Sequence, residues 1–167
     1  GGEGTLAFIA EAVMHTVPDL PCKMTGMLYF ESPELACGAI PQLITTGAAA
    51  LEFMDRASLR SVENMPGVPE LLKGLSSKAS AILCEFQETD PEKLAAQFEK
   101  ARPVLSALPL LFPPHFTLDT KEQAIMWKIR KGMYPSVAGM RAKGTSALLE
   151  DLAFPVERLG QAVTDVQ

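Results

Sequence analysis

The stretch "MWKIRKGMYPSVAGMRAK" (126–143) holds five of the chain's 15 lysines and arginines and no acid. An arginine in such an island has a chemistry that a lysine lacks. Its planar guanidinium grips a carboxylate through two parallel N–H bonds. Arg130 and Arg141 are the arginines of the island, and Tyr134 follows Arg130 by one helical turn, where its hydroxyl could join the same ligand. The plainer alternative makes Arg130 an exposed cation near a helix C-terminus, interacting with the helix dipole, and leaves Arg141 and Lys143 as solvated loop residues. A second candidate is the opening "GGEGTLAFIAEA" (1–12). Glycines let a backbone approach a ligand closely and turn its N–H groups toward phosphate or other cofactor oxygens. The plain reading there is a flexible start or an expression scar.

Other reactive residue types are less promising. Glu150 and Asp151 are adjacent in a predicted strand, so they face opposite sides and cannot act as an acid–base pair; structural hydrogen bonding is the expected role. His15 and His115 each stand alone. Cys22, Cys37 and Cys84 form an odd, widely spaced set without a C-x-x-C pair, so zinc, iron–sulfur and dithiol redox chemistry lack support. Reduced, partly buried thiols and no metal site are expected.

The elements that must position these residues follow from pattern. The chain has 167 residues, 47% hydrophobic and 21% charged, which suits a globular domain with a substantial core. A net charge of −5 argues against nucleic acid or anionic membrane as the main partner. Pro, Gly or charge interrupts every apolar run, and no signal peptide is evident, so a cytoplasmic protein without a membrane span is expected. Residues 5–17 read as a strand, and "PDLPCK" (18–23) as a stiff linker. In "MTGMLYF" (24–30) Leu28 and Phe30 alternate with Met27 and Tyr29. Ser32 with Pro33 starts a helix, "ALEFMD" (50–55) is a strand, and Asp55 caps a helix through "RASLRSV". Short helical turns follow over 68–75.

"SAILCEFQ" (80–87) is a strand in which Ile82, Cys84 and Phe86 alternate with Leu83 and Glu85. Asp90 and Pro91 open a helix over 90–109, with a kink or break expected at Pro103. Residues 115–119 form another strand, and Thr120 with Gln123 makes a capping-box start for a helix carrying Ile125, Trp127 and Ile129. Residues 132–146 read as a basic glycine-rich loop, 147–154 as a strand, and Pro155 as the start of a last helix. The order β-α-β-β-α-β over about 24–119 predicts an α+β fold, a ferredoxin-like antiparallel sheet with helices packed on one face.

Three stretches go further than composition. "GGEGTLAFIAEA" (1–12) resembles the G-S-E-G-T-L-G-I-[VI]-T-E-A segment that closes the FAD-binding domain of FAD-linked oxidases. "LEFMDRASL" (51–59) is similar to the strand-to-helix step at the start of that family's substrate, or cap, domain. "WKIRKGMYPSVAGMRAKGTSALLEDLAFPVERL" (127–159) is similar to the segment leading into its E-D-V-x-x-P strand. The family lies in the vanillyl-alcohol oxidase superfamily and includes enzymes of the D-lactate dehydrogenase and glycolate oxidase flavin-subunit type.

The resemblance implies two units. Residues 1–21 would be the terminal strand of an FAD-binding domain plus a linker, and 22–167 the front half of the substrate domain. The rest of the flavin domain would lie upstream, and a histidine-rich H-x-G-[DE]-G-N stretch downstream. It further implies an FAD-dependent dehydrogenase or oxidase acting on a 2-hydroxy acid, such as lactate, glycolate or 2-hydroxyglutarate, with the electron acceptor left open. Arg130, Tyr134 and Arg141 become the expected substrate-binding residues, and Gly2, Glu3, Gly4 and Thr5 the cofactor-binding ones. Position 2 is Gly where the family usually has Ser, which removes a side-chain hydroxyl contact. The isolated chain is expected to be inactive, to release FAD, and to present apolar surface that favours a dimer. A non-catalytic ferredoxin-like module for ligand sensing or protein interaction is the competing reading, because fold alone implies no chemistry.

Overall fold

The computed structural model describes residues 8–140, 142–145 and 153–166, with the side chains of 133–140 and 166 outside that description. Four strands form one antiparallel sheet in the order β2-β3-β1-β4. β1 (Cys22–Phe30) lies at the centre, paired with β3 (Ser80–Glu88) on one side and β4 (His115–Thr117) on the other, and β2 (Ala50–Met54) forms the far edge. With α1 (Pro33–Thr45) joining β1 to β2 and α3 (Pro91–Ala107) joining β3 to β4, this is the ferredoxin-like order expected from the sequence.

The helix starts are local and chemical. The Ser32 hydroxyl accepts from the Leu35 N–H, Asp55 from Ser58 at 2.8 Å, and Asp90 from Lys93 at 2.9 Å, each satisfying an otherwise orphaned backbone donor. α3 continues through Pro103 without a break, and Ala101 and Leu105 on either side of it are buried in the core.

Alternation along β1 and β3 divides the core. Leu28, Phe30, Ile82, Cys84 and Phe86 face α1 and α3, together with Leu43, Leu94 and Leu105. Met27, Tyr29, Ala81 and Leu83 face the other way. There they meet Leu59 and Val62 of α2 (Arg56–Val62), Leu72 of a 3-10 turn (Glu70–Gly74) and Ile129 of α4 (Thr120–Met140). Helices therefore cover both faces, not one. The sequence carried this signal, since β1 and β3 are apolar on both sides, as a doubly covered strand must be.

Three further expectations change. Residues 8–17 form no strand and are exposed, because no neighbouring strand supplies ladder partners for them. α4 begins under Asp119, whose carboxylate accepts from the Lys121 N–H at 2.7 Å and the Glu122 N–H at 3.3 Å; Thr120 is already helical. The stretch from 132 to 140 is helix, not loop. At Gly132 an added Cβ would lie 3.3 Å from the flexible tip of Met65, so α4 passes close to the end of α2 without a strict need for glycine there. The strand expected over 147–154 lies largely outside the described residues. Pro155 opens the last helical segment as expected, a 3-10 turn (Val156–Arg158) running into α5 (Leu159–Val166), which packs on α1.

Candidate functional site

α4 has two working faces. Ile125, Ile129 and Gly132, at helical spacing, pack on the apolar core. Gln123, Trp127 and Arg130 form a second stripe at the i, i+4, i+7 positions, and this one is polar. Each of the three is tied to the sheet. Gln123 donates from Nε2 to the backbone carbonyls of Lys23 (2.8 Å) and Thr117 (3.0 Å), bridging β1 and β4. Trp127 donates from its indole nitrogen to Glu85 Oε2 at 2.6 Å. Arg130 donates from Nε to Glu52 Oε2 at 2.8 Å.

Glu85 is 3% exposed, on the α2/α4 face of β3. A buried carboxylate is tolerated only when its lone pairs are filled. Thr25, directly across on β1, donates its hydroxyl to Oε2 at 2.8 Å, and Gln87 donates Nε2 to Oε1 at 2.6 Å. With Trp127 that makes three side-chain donors on one buried carboxyl group. Glu85, Gln87 and Trp127, together with Lys23, Gln123 and Lys131, border an open cleft of about 410 Å³.

Arg130 lies farther along α4, over the β2 edge. Its side chain is 43% exposed and that of Glu52 33%. Beyond the Nε contact, the terminal nitrogens Nη1 and Nη2 make no hydrogen bond among the described residues. Tyr134 follows on the same helix at i+4, with its side chain outside the description. Arg141, Gly2, Glu3, Gly4 and Thr5 lie outside the described residues, as do Glu150 and Asp151. Of the expected site, the structure therefore places Arg130 and the backbone of Tyr134. It adds Glu52, Glu85 and Gln123, which sequence reasoning missed. One signal was available for Glu85: a lone charge in the apolar run "SAILCEFQ" (80–87).

Arg56, the first residue of α2, is 8% exposed and contacts Glu63 at 3.1 Å through one Nη, while Nε and the other Nη are buried without a hydrogen-bond partner among the described residues. The cysteines are free thiols, and burial pushes Cys84 up to about 12 and Cys37 to about 11, the latter helped by Glu34. Neither is a nucleophile at neutral pH. His115 sits 3.5 Å from Glu122 on the surface. Among the described residues no group of three or more His, Cys, Asp or Glu could hold a metal ion, and no helix is long and apolar enough to cross a membrane.

A whole flavin dinucleotide does not fit these residues. Among the described residues the positive-φ glycines Gly47, Gly67 and Gly144 fall in three separate turns and form no phosphate cradle, and the cleft beside Glu85 is open. What the arrangement does offer is a guanidinium fork fixed at one end and open at the other, suited to an anion with two oxygens.

Over 179 aligned positions the chain is 27% identical to glycolate oxidase subunit GlcD of Bacillus subtilis (strain 168), an alignment covering 99% of this chain and 34% of that protein. The chain thus spans about a third of that relative's length. Residues 21–167 match the family described as FAD linked oxidases, C-terminal domain. With every described strand and helix inside the match, the chain belongs to the FAD linked oxidase C-terminal domain family.

Proposed function

We propose that this chain forms part of the substrate domain of an FAD-dependent dehydrogenase or oxidase acting on a small 2-hydroxy acid, and that Arg130 holds the substrate carboxylate. Family membership supports an FAD-linked oxidoreductase. The observation that carries the finer reading is the state of Arg130: anchored at Nε, partly exposed, and with both terminal nitrogens free of described partners. A 2-hydroxy acid offers a two-oxygen anion of matching shape. The redox chemistry belongs to the flavin, while these residues bind and orient. Tyr134 and Arg141 belong to the same proposal, as do Gly2, Glu3, Gly4 and Thr5 toward the cofactor. On this reading the isolated chain neither retains FAD nor turns over substrate.

The test uses the flavoenzyme that contains this chain, assayed by dye reduction with D-lactate, glycolate and D-2-hydroxyglutarate. Arg130→Ala should lower kcat/KM roughly ten- to hundredfold, or ~1.4–2.7 kcal/mol in transition-state terms, on the preferred acid. An unchanged kcat/KM would return Arg130 to a structural role, and turnover of none of the acids would sink the substrate class.

A further inference from the structure

We propose that Glu52 is a positioning residue that aims Arg130 at the substrate carboxylate; this rests on the reading of Arg130 given above. A guanidinium can meet a carboxylate side-on, through Nε and one Nη, or end-on, through Nη1 and Nη2. The single Nε proton of Arg130 is engaged by Glu52 Oε2 at 2.8 Å, which closes the side-on mode and leaves the end-on fork. Glu52 is well placed to act as a fixed point. It belongs to β2, whose backbone is paired to β3 with Glu52 opposite Leu83, so its carboxylate rises from a strand and not from a loop.

The helix bearing Arg130 is fixed as well. One turn earlier the indole of Trp127 is tied to the buried Glu85, and a further turn back Gln123 bridges two strands. α4 is thereby held against rotation, and Glu52 removes most of the remaining freedom at the arginine tip.

Glu52 exerts two opposed effects on a bound anion. Orienting the fork strengthens binding, while its own negative charge weakens it. Substitutions separate them. Glu52→Gln keeps an oxygen acceptor for Nε without the charge, whereas Glu52→Met keeps the length and has no comparable acceptor. Glu52→Ala serves as a second acceptor-free variant should the methionine disturb folding.

All variants are made in the FAD-loaded parent enzyme, with KM and kcat measured on its preferred 2-hydroxy acid. Folding is checked by thermal midpoint and by retention of bound flavin. The expected result is a KM at or below wild type for Glu52→Gln and a five- to twentyfold rise for Glu52→Met and Glu52→Ala, with a smaller change in kcat. In the Arg130→Ala background the Glu52→Met effect should vanish, which a merely structural role would not produce. Equal KM rises in all three Glu52 variants, or a KM that falls in Glu52→Met, would overturn the positioning role. The two readings fail separately: an inert Arg130→Ala overturns the carboxylate assignment, whereas a damaging Arg130→Ala beside inert Glu52 variants overturns only the role of Glu52.

Discussion

Tyr29 illustrates what a single side chain contributes beyond the site. Its ring lies in the core beneath α4, edge-on to Phe112, and burial pushes its hydroxyl from 10.0 up to about 12. Burial acts on the Cys84 thiol in the same direction, from 9.0 to about 12. Both groups are neutral when protonated, so the folded state holds its protons where the unfolded chain has released them. Their contribution to stability is complete below about pH 9 and is lost as pH rises toward 12. Tyr29→Phe keeps the ring and removes the titration. Urea midpoints at pH 7 and 11 should show the substituted protein losing less stability, by on the order of 1 kcal/mol. At this scale the sequence singled out Arg130 as a candidate through its chemistry and its resemblance, but gave no sign of the Glu52 partner found in the structure. Glu52 lies 78 residues away, and no local spacing joins them.

At the scale of elements, legibility followed locality. The caps at Ser32, Asp55 and Asp90 and the alternation in β1 and β3 depend on near neighbours, and all were readable. The extent of α4 was not. Glycine is a poor helix former, so Gly132 suggested a loop, whereas tertiary contact with Val62 and Met65 keeps the segment helical. Gly132 and Gly26 should answer alanine differently. At Gly132 the new methyl meets the flexible tip of Met65, and the gain in helix propensity, ~1 kcal/mol, leaves Gly132→Ala neutral or mildly stabilising. At Gly26 it would come within 2.8 Å of the His115 carbonyl and 2.7 Å of the Phe116 ring, part of the cluster with Phe86 and Phe98. Gly26→Ala should cost about 1–3 kcal/mol in denaturant unfolding by forcing β4 away from β1.

The whole molecule is a sheet with two covered faces and a long exposed lead-in. Phe8, Ile9, Val13, Met14 and Val17 are 79–93% exposed, and none belongs to the core. The ion pair of Asp19 with Lys23 ties the lead-in to β1 at the surface. Removing residues 1–20 should therefore shift stability by less than about 1 kcal/mol, as thermal unfolding would show. The same deletion tests self-association: sedimentation of the intact chain should show dimer at high concentration, and the shortened chain only monomer. A chain that stays monomeric with residues 8–17 in place would remove the dimer proposal. Coverage of the second face was written in the apolar character of both sides of β1 and β3. Which helices provide it was not, because α2 and α4 come from distant parts of the chain.

The two stripes of α4 carry a further consequence, for how this sequence can change in length. One stripe is registered to the core and the other to Thr117, Glu85 and the β2 edge, so spacing along the helix is fixed twice over. Each residue advances a helix by about 100°. Inserting or deleting one residue between Trp127 and Arg130 would swing the arginine a quarter-turn or more away from Glu52. Related chains should thus vary in length within the turns between α2 and β3 or between α3 and β4, and keep the count from Gln123 to Arg130 unchanged.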